Sequence, residues 1–138
     1  MPVYPTDVLK RDPQIGQPPP RPCVSLKIYP PFAEFIEFGG ASRHTITNDG
    51  SSRIVFKVKC SNNVVFKVSP VYAFLDPGAS TELQILRKEG PARPDKLIIL
   101  LKEAKQSDKD PRTSFDSDLT VYKQKIPLLT RVVQEESI

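Results

Sequence analysis

Few residues in this chain are equipped for bond-making chemistry, and their spacing argues against it. The sequence holds one histidine, His44, and two cysteines, Cys23 and Cys60. A lone imidazole cannot build a histidine-based metal site. His44 alternates with polar neighbours in a strand-like run, so it reads as a packed or surface side chain rather than a general base. Cys60 follows Lys57 and Lys59, and nearby cations lower a thiol's pKa. It also shares its parity with Phe56 and Val58, which favours a buried structural thiol. Cys23 carries no signal of its own. Asp108, Asp110, Asp116 and Asp118 are loosely spaced and lack the ligand order, glycine and closing glutamate of a calcium loop. Gly39, Gly40 and Gly78 are turn glycines, not a phosphate cradle. The expectation is a non-enzymatic chain with no catalytic, metal or cofactor site.

What remains is charge placed on a surface, and that needs strands to place it. Ile54, Phe56, Val58 and Cys60 alternate with Arg53, Val55, Lys57 and Lys59, the period of a half-buried strand. Ser61-Asn62-Asn63 is turn chemistry. Val64, Phe66 and Val68 then alternate with Val65, Lys67 and Ser69. Asp76-Pro77-Gly78 closes the unit, since proline presets φ and glycine allows a positive one. The expectation is two adjacent strands with one apolar face and one face carrying Lys57, Lys59 and Lys67. Two readings stay open for those lysines: a binding patch, or the solvated side of an antiparallel sheet.

The rest of the chain supplies similar units. Residues 24–29 alternate and break at Pro30-Pro31, because proline cannot donate to a ladder. Residues 32–38 form a short aromatic strand, and 43–47 place His44 and Ile46 on one face. Residues 80–88 put Leu83 and Ile85 inward. Residues 96–102 are apolar almost throughout, as for a strand buried on both faces. Residues 103–118 read as a long polar loop, in which Ser107, Thr113, Ser114 and Ser117 are open to modification. Residues 119–130 form the last strand, with Pro127 implying a bend or an edge. Seven or eight short strands without a convincing helix indicate an all-β sandwich, with a barrel as the alternative.

Length and composition agree. The 138 residues suit one domain, and a formal charge of +4 is mild for a nucleic-acid binder but sufficient for an acidic protein partner. Nine of the 15 prolines precede Phe32. Residues 1–22 therefore read as an extended arm, whose Gln17-to-Pro22 stretch favours polyproline II and could serve an SH3-type partner. Residues 23–131 are the domain and 132–138 an acidic tail. The opening residues lack a secretory leader and no apolar run is long enough to span a membrane, so a cytoplasmic protein with reduced thiols is expected.

Several stretches in fixed order resemble the major sperm protein domain. They are Leu26-Lys27-Ile28-Tyr29-Pro30, then Phe35-Ile36-Glu37-Phe38, then the run from Thr47 to Lys59, then Pro70, and last Phe74-Leu75-Asp76-Pro77-Gly78-Ala79-Ser80. The resemblance covers roughly residues 23–130. Ser61-Asn62-Asn63 and Pro70-Val71-Tyr72-Ala73-Phe74 look most like the small sperm-specific nematode members. The resemblance implies a seven-stranded immunoglobulin-like sandwich. It also implies a cytoskeletal role in amoeboid sperm, through filament assembly or regulation, with a homodimer or other filament proteins as partners. Some relatives act as signals on oocytes.

A second branch of that family, the membrane-anchored contact-site adaptors, binds acidic motifs containing two phenylalanines through a basic groove. Its motif lysine falls on Lys59, its Thr-Thr pair on Cys60-Ser61, a later lysine on Lys96 and a groove methionine on Ile98. Lys57 and Lys67 would extend the positive surface. The Thr-Thr pair is only half kept, and the branch's C-terminal coiled coil and anchor are not expected here. The candidate partner-binding residues are thus Lys57, Lys59, Ser61, Lys67, Lys96 and Ile98.

Overall fold

The computed structural model describes residues 22–116 and 120–134. The proline-rich arm before Pro22 and the Glu135-Glu136 pair of the tail lie outside the described residues.

Prolines decide where strands change sheets. β1 (Leu26–Tyr29) and β2 (Ala33–Ile36) flank Pro30-Pro31. β1 pairs antiparallel with β3 (Gly40–Asn48), whereas β2 crosses over and runs parallel to β9 (Tyr122–Arg131). Pro70 divides a second stretch: β5 (Phe66–Ser69) pairs with β7 (Ser80–Arg87), and β6 (Tyr72–Leu75) pairs with β4 (Ile54–Cys60). With β8 (Asp95–Glu103) the sheets are β1-β3-β7-β5 and β2-β9-β8-β4-β6. Joined across the two proline breaks, the nine strands make the expected seven. The chain is an immunoglobulin-like sandwich, not a barrel.

The core lies between the sheets. Ile46, Leu83 and Ile85 meet Ile54, Phe56, Leu97, Ile99, Ile126 and Leu128, all fully buried or nearly so. Each such side chain stabilises by roughly 1.5–3 kcal/mol relative to exposure. Three buried polar residues fasten the ends. His44 is packed between the sheets, its Nδ1 on the Pro30 carbonyl at 2.7 Å and its Nε2 on Ser42 Oγ at 2.8 Å. Asn48 Nδ2 donates to the carbonyls of Ser52 and Leu75, and its Oδ1 accepts from Gly50 N. A side chain on Gly50 would meet the Cys23 carbonyl at 2.6 Å, so glycine is required there for close approach. Arg87 donates to the carbonyls of Glu37, Lys88, Gly90 and Pro91, and its Nε donates to Thr130 Oγ1. Losing any of these partners would leave a buried polar group unsatisfied, at about 1–3 kcal/mol each.

Five expectations need correction. β4 and β5 are consecutive in sequence but belong to different sheets, because the turn at Asn62 crosses the sandwich instead of closing a hairpin. Val55 has the parity of the outward lysines yet is fully buried, since the outer surface is covered there. That cover comes from the supposed long polar loop, which contains a one-turn helix, α1 (Pro111–Phe115), packed on β4 and β6. β8 is central but not buried on both faces: its outward Ile98 and Leu100 are only half-buried. Pro127 does not make β9 an edge either. β9 lies between β2 and β8, and Pro127 sits one residue before pairing with β2 begins.

Candidate docking face on the five-stranded sheet

Register brings most of the candidate residues together. Lys57 and Lys59 alternate outward on β4, and Lys96 and Ile98 do so on β8. Lys59 stands opposite Ile98, which stands opposite Lys125 of β9. The next row is Tyr72, Lys57, Leu100 and Lys123. Neighbouring strands lie about 4.8 Å apart, so Lys59 and Lys125 are about 10 Å apart at the backbone with Ile98 between them. The outward positions of β4, β8 and β9 carry six lysines and no carboxylate.

Two candidates are placed differently. Lys67 lies on β5, in the opposite sheet, and cannot extend this surface. Ser61 is engaged by its own fold: its Oγ donates to Asp95 Oδ1 at 2.8 Å and accepts from Lys96 N at 3.0 Å. This holds the end of β4 against the start of β8, and Asn62 Nδ2 and Arg93 also reach the Asp95 carboxylate. Cys60 is half-buried beside it, and burial pushes its thiol pKa up, away from the reactive thiolate. Cys23 is exposed.

Part of the lysine face is roofed. Phe115 of α1 packs edge-to-face on Tyr72, with centroids 6.2 Å apart. Lys57 Nζ lies 5.3 Å from the Tyr72 ring and 5.9 Å from the Phe115 ring. Lys102 Nζ donates to the Phe115 carbonyl and sits 4.7 Å from its ring, while Arg112 lies 5.0 Å from Tyr72. Cation–π contacts of this kind contribute about 0.5–2 kcal/mol each. Asp110 caps the helix, accepting from Arg112 N and Thr113 Oγ1. Asp108 accepts from Ser114 Oγ at 2.7 Å and from Lys105 N. The Ser114 hydroxyl holds the Asp108 carboxyl below the usual aspartate range, and the Thr113 hydroxyl does the same for Asp110. Ser114 is therefore buried and occupied, whereas Ser107 and Thr113 are exposed. Ser117 lies outside the described residues. Arg53 fastens the approach to the helix: Nη1 donates to the carbonyls of Lys105 and Asp108, and the guanidinium stacks 3.9 Å over Phe74.

Lys123, Lys125, Leu100, Tyr72 and Phe115 were not anticipated as site residues. The alternation of Tyr122, Lys123, Gln124, Lys125 and Ile126 signals the first two. Phe115 is a lone aromatic in a polar run, which is itself a signal of anchoring.

A basic outward sheet on a proline-switched immunoglobulin-like sandwich agrees with what the sequence resembles, and residues 25–119 match the MSP (Major sperm protein) domain. The chain belongs to that family, a structural and non-enzymatic one. It is 40% identical over 90 residues to sperm-specific class P protein 31 of Caenorhabditis elegans, covering 65% of this chain and 84% of that one. Among solved structures it is similar to WR4, a C. elegans MSP family member, with a TM-score of 0.73 and 34% identity, over 77% of this chain and 97% of that one. It is also similar to SSP-19, an MSP-domain protein like family member in C. elegans, with a TM-score of 0.72 and 30% identity, over 75% and 97% respectively. No described helix is long and apolar enough to cross a membrane.

Proposed function

We propose that this chain is an interaction protein of the nematode sperm MSP cytoskeleton, supporting amoeboid motility by assembling or regulating its filaments. The observation that carries this reading is the acid-free lysine face of β4, β8 and β9, joined to membership of a family of sperm proteins. A single-sign face speeds encounter with an acidic protein surface and disfavours basic ones. Sheet edges are poor candidates for the contact. All four edge strands, β1, β5, β2 and β6, are four residues long, and short edges are how sandwiches limit edge-to-edge pairing. The contact is therefore assigned to the face. Sedimentation velocity over a wide concentration range, alone and with MSP-type filament protein, tests it. Association that disappears in Lys59→Glu/Lys96→Glu supports the reading, and association unaffected by that pair overturns it.

The row Lys59, Ile98 and Lys125 favours a second reading, an adaptor for acidic peptides, because it sets an apolar contact between two ammonium groups. A chain that stays monomeric and binds acidic, phenylalanine-containing peptides through Lys57, Lys59 and Lys96 would select it.

A further inference from the structure

The roof over the lysine face has the composition of a ligand. Residues 108–116 read Asp-Lys-Asp-Pro-Arg-Thr-Ser-Phe-Asp, three carboxylates around one large apolar side chain. That side chain, Phe115, is buried against Tyr72, Lys57 and Lys102. Besides Phe115, Asp110 caps its own helix and Asp108 ties Ser114 to Lys105, while Arg53 reaches from the start of β4 to two loop carbonyls and Arg112 lies over Tyr72. A five-residue helix has little stability of its own. The seat lies one row along β4 from the open row of Lys59, Ile98 and Lys125. The open and roofed parts are thus one surface, lysine-lined throughout.

We propose that residues 108–116 are an intramolecular occupant of this face. When the segment lifts, the seat formed by Tyr72, Lys57 and Lys102 takes a phenylalanine flanked by carboxylates on a partner chain. This rests on the reading of the face as a docking surface and adds its regulation: the partner must displace a resident. A site filled in cis for nine-tenths of the time binds about tenfold more weakly than an open one.

The probe is a fluorescent peptide with the sequence of residues 108–116, followed by anisotropy against the full chain. The wild type should bind it weakly. Phe115→Ala, which empties the seat, and Asp110→Ala, which removes the cap, should each bind it about tenfold more tightly. Adding Lys57→Gln to Phe115→Ala should cancel the gain, as should alanine in place of the peptide's phenylalanine. Three outcomes overturn the proposal: no gain in whichever variant keeps its β-sheet circular dichroism, a gain that survives Lys57→Gln, or unfolding of both variants, since a segment the sandwich needs in order to fold is not displaceable. Lys59→Glu/Lys96→Glu leaves the seat intact. A partner lost in that pair without any gain for Phe115→Ala therefore overturns the occupancy alone, and the docking reading stands.

Discussion

The two outward faces of this sandwich are built by the same alternation and carry opposite kinds of surface. On the four-stranded sheet the outward positions mix signs and neutral groups. Arg43 pairs with Glu82 at 3.6 Å, Thr47 and Ser80 share a hydrogen bond, and Lys67 stands opposite Leu86. Both charges of the Arg43–Glu82 pair are well exposed, so it contributes little. On the five-stranded sheet the lysines repel one another with no carboxylate among them on the three central strands, and one end is covered by a helix. Solubility asks only for the first kind of surface. Concentrating one sign costs stability through self-repulsion, a cost that the proposed docking role would offset.

The contrast can be broken most sharply at its apolar residues. Phe115→Ala should lower unfolding free energy by about 1.4 kcal/mol in chemical denaturation, the equivalent of the tenfold closure it abolishes, with the sandwich still folded. Leu86→Ala, on the mixed face and 42% exposed, should change it by less than about 0.5 kcal/mol. Equal effects would mean that the roof is no more anchored than an ordinary surface residue. Charge reversal comes next. Lys59→Glu/Lys96→Glu should weaken association with an acidic partner about tenfold or more, against no change for Lys67→Glu, read by sedimentation at low and high salt.

Acid should then separate the two faces. Asp108 and Asp110 titrate below their ordinary value, so the hold they give residues 104–116 is complete above 3.8, the unfolded aspartate value. It is lost as pH falls from there through the depressed folded values. Amide exchange at Lys105 and Arg112 should therefore accelerate in that window while amides of β3 and β7 hold. Thiol labelling gives the smallest effect: exposed Cys23 should react before Cys60, whose thiol burial keeps protonated at neutral pH.

How much of this could be read from the sequence depends on whether a residue obeys a period. Ile46, Phe56, Leu83 and Ile85 alternate and were assignable, as were Lys57, Lys59 and their face. Lys67 obeys the same period, but period does not say which sheet a strand enters; that is decided by the crossing at Asn62. Val55 is outward by parity and buried by a helix whose one-turn length leaves no periodicity to detect. The Asp76-Pro77-Gly78 turn was legible because its chemistry is local: Ala79 N closes it on the Asp76 carbonyl and Gly78 has a φ of +80°. Asn48 follows the strand expected at 43–47 and Arg87 falls near the end of the one at 80–88, and neither carries a signal of its own. Their roles come from carbonyls gathered out of distant segments, which no local pattern encodes.

Arg87 bears on how the molecule comes apart. Among the described residues its buried guanidinium has no carboxylate partner; it is held by four backbone carbonyls and a threonine hydroxyl. Its acceptors are backbone carbonyls and a hydroxyl, not carboxylates. The Arg87 latch, where β9 meets the β2–β3 and β7–β8 connections, thus contains no carboxylate, with Glu37 Oε1 accepting from Val133 N beside it; the helix-bearing segment is fastened by two carboxylates. Acidification thereby gives the molecule a direction: the two aspartates of the helix-bearing end let go as they protonate, and the carbonyl cradle around Arg87 has no such group to lose.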